Sequence, residues 1–585
     1  MRKTNRMLAI LAAVAVMTGS ITGCGGSARD TSNTTAGETA GGSSYGASSG
    51  SMGRTDGQTS NSSDAGSETT LNGASTEEDM AMYPALTGMI EAKDACAPEA
   101  CYDTGVNDFY YDPYTYGYYE NSESYQQLQE NGFSMAMTNP LSTFAADVDT
   151  ASYANVRRMI ETGYSQSDIP AGAVRPEEFI NYFSYDLAGP DKGEKFGVTT
   201  EVTVCPWNQE HQLLFVGVKA EDQLQGKMPK SNLVFLIDVS GSMASENKLD
   251  LLKKSFEDLI DNLPGEGTVS IVTYASEEKV VLEGADMTDK RAIKRALRSL
   301  SASGATAGER GMEMAYEVAR DNYIEGGNNR IIMATDGDLN VGISDPDELE
   351  KFVEKKKEEG IFLSVLGFGD GNYKDDRLER IADCGNGNYN YIDSAVEAKK
   401  VLVDQMSSTL VTVAKDVKFQ VEFNPAVVNG YRLIGYENRQ MEDIAFTDDS
   451  KDGGEIGSGH SVVALYEIVP AGGKDAIELK YQKKDENTED ASDEYATIKI
   501  RYKEPEEDTS KEQSYVVDSS RYSEEGSENI TFASLVAEFA MLLSDSEYAG
   551  NITYEDIVNT YNELGINDLY KNEFVQLVWM VEKRS

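Results

Sequence analysis

Between about residues 231 and 412 the chain alternates short apolar runs with amphipathic stretches, and this alternation constrains its fold more than any other feature. Candidate strands fall at 232–238, 268–275, 279–283, 330–335, 361–367 and 389–392. Between them lie sequences such as "KLDLLKKSFEDLIDNL" and "DELEKFVEKKKEEG", in which apolar residues recur at helical spacing. Strands that read as continuous apolar runs, separated by helices, predict a parallel sheet covered on both faces, an α/β domain of Rossmann-like architecture. Right-handed crossovers then place the carboxyl ends of the strands on one edge, where open α/β sheets bind ligands.

The sequence on either side has a different texture. From Pro140, "PLSTFAADVDTASYANVRRMIETG" predicts a short strand and then a helix carrying Tyr153, Val156 and Ile160, and "RPEEFINYFSYD" predicts a helix opened by Pro176. "GVTTEVTVCPW" and "HQLLFVGVKA" alternate as strands do. Alternation returns after residue 413 in "VKFQVEFNP", "VVALYEIVP" and "ATIKIRYKEP", and the chain closes on the helical sequences "FASLVAEFAMLLSDS", "TYEDIVNTYNELG" and "NEFVQLVWMVEKR". A chain of 585 residues is too long for one core. These changes divide it into an N-terminal α+β module at 138–230, the α/β domain at 231–412 and a C-terminal α+β module at 413–585.

The first residues combine a basic start (Arg2, Lys3, Arg6), a short apolar run and small residues, and 1–23 reads as a secretory signal. Its end, Ile21-Thr22-Gly23-Cys24, resembles the bacterial lipobox. That resemblance implies that Cys24 becomes the lipidated first residue of a protein on the extracytoplasmic side of the cell envelope. No later segment is apolar for about 18 residues, so lipid is the expected membrane anchor. Residues 24–137 read as a disordered acidic tether, rich in Gly and Ser and then, at 101–125, in Tyr. Within it Cys96 and Cys101 stand close enough in sequence to bridge in an oxidising compartment. A formal net charge of −48 argues against nucleic acid as a partner, and two histidines, His211 and His460, leave little for a zinc site.

Asp238, Ser240 and Ser242 stand where the first strand of the α/β block ends, on the edge expected to be functional. Thr306 lies in the Gly/Ala-rich "SASGATAGERGM", and "RIIMATDGDLNVG" ends another strand in Thr335-Asp336-Gly337-Asp338. Three loops of hard oxygen donors thus converge on one edge, a set suited to an octahedral cation such as Mg²⁺ at about 2.0–2.1 Å. Taken singly, each residue also suits a helix cap or a turn. Taken jointly, D-x-S-x-S, the distant threonine and Thr-Asp-Gly resemble the metal-ion-dependent adhesion site of von Willebrand factor A domains. The resemblance implies that Ser240, Ser242 and Thr306 coordinate Mg²⁺, Mn²⁺ or Ca²⁺ through hydroxyls, with Asp238 and Asp336 holding it directly or through water. It further implies that the chain acts without catalysis, binding a protein partner whose Asp or Glu carboxylate completes the shell, in adhesion or complex assembly. Asp338 reads equally as an outer support and as a solvated loop acid.

The flanks extend the resemblance. "NPLSTFAADVDTASYANVRRMI" and "RPEEFINYFSYD" resemble the N-terminal module of a bacterial family of A-domain lipoproteins, and "NPAVVNGYRLIGYENR" and "GEIGSGHSVVALYEIVP" its C-terminal module. Rival readings are a metal-independent assembly component, a phosphatase and a hydrolase. Asp147 and Asp149 in "FAADVDTAS" resemble a phosphatase D-x-D-x-T start, but Ala151 replaces the threonine, and capping of the following helix is the plainer expectation. Ser240 as a nucleophile lacks both G-x-S-x-G and a nearby base.

Overall fold

The computed structural model describes residues 123–223, 229–263, 265–305, 308–337, 346–371, 373–476, 493–505 and 507–585. The stretch read as a signal, Cys24, the expected tether up to residue 122 with Cys96 and Cys101, Thr306 and Asp338 lie outside the described residues. In chain order, β1 (Ser134–Met135), β2 (Leu141–Ala145), α1 (Ala151–Glu161), α2 (Pro176–Asn181), β3 (Phe196–Val204) and β4 (Gln212–Ala220) come first. The α/β block follows as β5 (Ser231–Asp238), α3 (Leu251–Asn262), β6 (Gly267–Tyr274), β7 (Lys279–Asp286), α4 (Lys290–Arg298), α5 (Gly308–Asp321) and β8 (Asn328–Thr335). It continues through α6 (Pro346–Lys357), β9 (Phe362–Phe368), α7 (Asp375–Cys384), β10 (Tyr389–Ile392), α8 (Ala395–Lys399) and α9 (Met406–Leu410). The remainder is β11 (Thr412–Phe423), β12 (Val428–Ile434), β13 (Gly454–Gly457), β14 (Ser461–Pro470), β15 (Glu494–Lys503), β16 (Ser510–Asp518), α10 (Glu528–Leu543), α11 (Tyr554–Leu564) and α12 (Leu569–Glu582).

The central sheet has the order β10-β9-β8-β5-β6-β7 and is parallel except for β7, which runs back along β6. Only residues 275–278 separate β6 from β7, too few for the dozen or more that a parallel crossover takes. Every residue of β5 is buried. Leu233, Phe235 and Ile237 pack with Leu252 and Phe256 of α3 on one face, while Val234 and Leu236 pack with Met312 and Tyr316 of α5 on the other. Two-sided burial is why this strand reads as an uninterrupted apolar run.

The stretches expected as separate N-terminal and C-terminal modules are woven together. One antiparallel sheet runs β1-β12-β14-β4-β3, and a second runs β13-β11-β15-β16 with β2 also paired to β11. A lone β3–β4 hairpin with two apolar faces is marginal in water, and β14 completes it from more than two hundred residues away. Period-two geometry then divides the side chains. Leu214, Val216, Tyr466 and Ile468 point between the two sheets, whereas Leu213, Phe215, Val463 and Leu465 face a helical layer built from α1, α2 and α10 to α12.

Helix α1 belongs to both halves of the molecule. Tyr153, Val156 and Ile160 enter the helical layer, while the small residues Ala151 and Ala154 join the core around β10. Asp147 and Asp149 do not cap it: Thr150 is the N-cap residue, and the first-turn amide of Ser152 donates to Glu178 Oε2 of α2 (2.8 Å). Residues 123–137, expected as the end of the tether, are held on the body. Glu123 pairs with Arg158 (3.1 Å) and accepts from the Gly371 amide (2.9 Å), and β1 pairs with β12. A buried arginine is a strong enough partner to order a segment whose composition alone predicts a coil.

Candidate metal centre

β5 delivers Asp238 as its last residue, at the carboxyl edge of the sheet and with no exposed surface. The chain then turns sharply. The Val239 amide donates to the Tyr274 carbonyl (3.0 Å), the Gly241 amide to the Gly304 carbonyl (2.8 Å), and the Ser303 amide to the Val239 carbonyl (2.7 Å). The 239–241 turn is therefore pinned between β6 and the loop that leads toward Thr306.

Asp238 organises the turn from within. Its Oδ1 accepts from the Ser240 amide (2.8 Å) and its Oδ2 from the Thr335 hydroxyl (3.2 Å). Ser240 Oγ and Ser242 Oγ lie 2.9 Å apart, the first buried and the second on an exposed residue. Asp336 follows directly on β8 and is 1% exposed. Four of the five residues named from the sequence thus sit at the ends of the adjacent strands β5 and β8; the fifth, Thr306, lies outside the described residues.

Burial pushes the Asp238 carboxyl up to about 7, the Asp336 charge adding to the shift and the hydrogen bonds from Ser240 and Thr335 opposing it. A carboxylate that is costly to ionise alone gains from a neighbouring cation. The donors are two carboxylates and two hydroxyls, all hard oxygens, which fits Mg²⁺, Mn²⁺ or Ca²⁺ and not a soft metal. Among the described residues no group of three or more His, Cys, Asp or Glu side chains is arranged to hold a metal.

Sequence reasoning missed Lys248. Its ammonium lies 2.9 Å from Asp336 Oδ2, with both side chains buried. That ammonium offsets part of the negative charge that Asp336 presents at the sheet edge.

The rival sites look different. Asp147 and Asp149 line a cavity of about 270 Å³ together with Glu354, Asp383, Asp452 and Glu455, with Arg439 as the guanidinium that holds Asp147 (3.1 Å) and Asp149 (3.3 Å). A phosphate ester there would face six carboxylates. Both histidines stand immediately ahead of strands of one flanking sheet, His211 before β4 and His460 before β14, and not in the α/β block. His211 bonds Glu467 (2.5 Å), and burial lowers His460, just before β14, to about 4.

Three family profiles match the chain. One described as "von Willebrand factor type A domain" covers residues 232–405, one described as "von Willebrand factor" covers 119–215, and one described as "Uncharacterized protein YfbK, C-terminal" covers 408–583. The protein YfbK of Escherichia coli (strain K12) is 40% identical over 469 residues, which is 78% of this chain and 81% of that protein. The chain belongs to the YfbK family of von Willebrand factor type A proteins. Beyond that family, the mouse voltage-dependent calcium channel subunit alpha-2/delta-2 is 25% identical over 240 residues, 39% of this chain but 20% of that subunit. A solved von Willebrand factor type A structure from Catenulispora acidiphila is 15% identical, with a TM-score of 0.39, covering 68% of this chain and 91% of that one. In this YfbK-family chain the A-domain match runs from β5 through α8 and stops ahead of α9, and the C-terminal match begins within α9.

Proposed function

We propose that this protein is a cell-envelope lipoprotein, anchored through Cys24, whose A domain binds a divalent cation and through it a protein partner. The supporting observation is the buried Asp238 carboxyl, held by Ser240 and Thr335, beside a pair of serine hydroxyls 2.9 Å apart at the sheet edge. Ser240, Ser242, Asp238 and Asp336, joined by Thr306, would hold Mg²⁺, with Mn²⁺ and Ca²⁺ as alternatives. Because hydroxyls carry no charge, the cation stays electrophilic toward solvent, and an Asp or Glu carboxylate of a partner completes its shell. Among the described residues no helix is long and apolar enough to cross a membrane.

Calorimetric titration of the full chain with MgCl₂ or MnCl₂ tests this reading. One-site binding is expected for the wild type and its loss in Asp238→Ala; absence of binding heat in the wild type would sink it. A pull-down from the native envelope with and without chelator then tests the partner, whose capture is expected only with metal. One observation favours a second reading, a metal-independent assembly role: Lys248 already neutralises Asp336.

A further inference from the structure

The placement of Lys248 is built into two separate parts of the chain. Between the 241–244 turn and α3 the backbone leaves its helical path at Lys248 (φ −117, ψ −105), which turns the side chain inward instead of along the solvent face. Its methylene stem then crosses Gly369 at the end of β9, where φ is +76 and a Cβ would collide with the lysine Cε. Neighbouring Lys253 follows the ordinary course and pairs with Asp250 near the surface. A kink and a glycine from distant segments therefore cooperate to bring one ammonium to Asp336 Oδ2, 2.9 Å away, with the two side chains 8% and 0% exposed.

We propose that Lys248 is an internal counter-ion that competes with the bound divalent cation for Asp336 and sets the affinity of the site. The proposal rests on the metal reading above. Two effects act in the same direction. A fixed positive charge beside Asp336 repels an incoming cation, and the carboxylate cannot give its full charge to the metal while it is bonded to the ammonium. In return, Asp336 is paired when no metal is bound, so the metal-free protein does not carry an isolated buried carboxylate. Metal affinity is exchanged for stability of the metal-free fold.

Replacing Lys248 with methionine keeps the apolar stem up to the ε position and removes the charge, and Lys248→Gln removes the charge from a shorter side chain with a smaller change in polarity. The full chain carrying each variant is melted with and without MnCl₂ and titrated with MnCl₂ by calorimetry. Both variants are expected to melt lower than wild type without metal, to recover most of that loss at saturating Mn²⁺, and to bind Mn²⁺ about tenfold more tightly. Wild-type binding with affinity unchanged or weakened in the variants, and a melting loss that Mn²⁺ does not restore, would overturn the proposal and leave Lys248 a structural ion-pair residue. Absence of binding in the wild type and in both variants would instead overturn the metal reading on which it rests. If Lys248→Met fails to fold, Lys248→Gln decides between the same outcomes.

Discussion

Gly337 follows Asp336 with φ at +92, and a Cβ there would lie 2.7 Å from the Lys374 amide nitrogen. Both the backbone conformation and the close approach of the next loop require the missing side chain. Gly337→Ala is therefore expected to destabilise the protein by about 1–3 kcal/mol and to weaken cation binding, since the displaced loop carries Asp336. Thermal melts together with Mn²⁺ titration check this, and unchanged affinity would mean that Asp336 is held independently of the turn after it. The same neighbourhood shows what the sequence makes legible. Asp238, Ser240, Ser242 and Asp336 are readable because they close or shortly follow a buried apolar run, so topology alone brings them to one edge. Lys248 is not, because one lysine among Glu246, Asn247, Asp250, Lys253 and Lys254 reads as a solvated helix face. Only the kink at its own position turns it inward, and no local residue pattern specifies that kink.

Among the elements, α10 shows how far burial can carry a charged residue. Ser527 caps it by accepting from the Asn529 amide (3.2 Å), and its apolar residues serve the helical layer on nearly every side. Glu538 lies in that environment at 5% exposure, and burial pushes its carboxyl up to about 8, with Asp556 adding to the shift. An unfolded glutamate titrates near 4.3. The folded state holds this proton more tightly, so Glu538 contributes stability that is full below about pH 4 and is lost as pH rises through about 8. Glu538→Gln removes the ionisation, and the variant is expected to exceed wild type by roughly 5 kcal/mol at pH 9 and to lie close to it near pH 4.5. Urea titrations at the two pH values measure the difference; an equal offset at both would mean that packing and not ionisation distinguishes the residues. Element positions in the α/β block were legible because two-sided burial writes strands as apolar runs. The start of α1 was not, because Glu178, twenty-six positions beyond Ser152, supplies the bond that the aspartates were expected to make.

At the scale of the whole molecule, the flanks and the α/β domain are joined by buried charge as well as by apolar packing. Arg157 of α1 binds Asp393 (2.7 Å) and Glu397 (2.7 Å) beside and within α8, and Glu573 of α12 (2.9 Å). Arg175 reaches Asp375 (2.6 Å) of α7, and Arg439 holds Asp147 (3.1 Å), Asp149 (3.3 Å), Glu379 (3.4 Å) and Asp383 (2.5 Å). None of this was legible locally, since partners lie up to about four hundred residues apart and no spacing rule encodes which carboxylate meets which arginine. Most of these pairs are buried at both ends, Glu573 and Asp383 being the more exposed partners, and that burial makes the two parts interdependent. Breaking a buried pair by removing one partner costs about 3–5 kcal/mol, because the other charge is left without compensation. Arg439→Ala strands Asp147, Asp149 and Asp383 at the junction between α1 and α7 and leaves Glu379 to Arg175 (3.3 Å), so it acts on the coupling and not on the core of either part. Wild-type protein is expected to unfold in one calorimetric transition across residues 123–585, and Arg439→Ala in two, the first at lower temperature. The α/β domain keeps its own sheet and both helical faces in that variant, so Mn²⁺ affinity is expected to stay within a few fold of wild type. Two well-separated transitions already present in the wild type would show instead that the arginine pairs align the parts without coupling their stability.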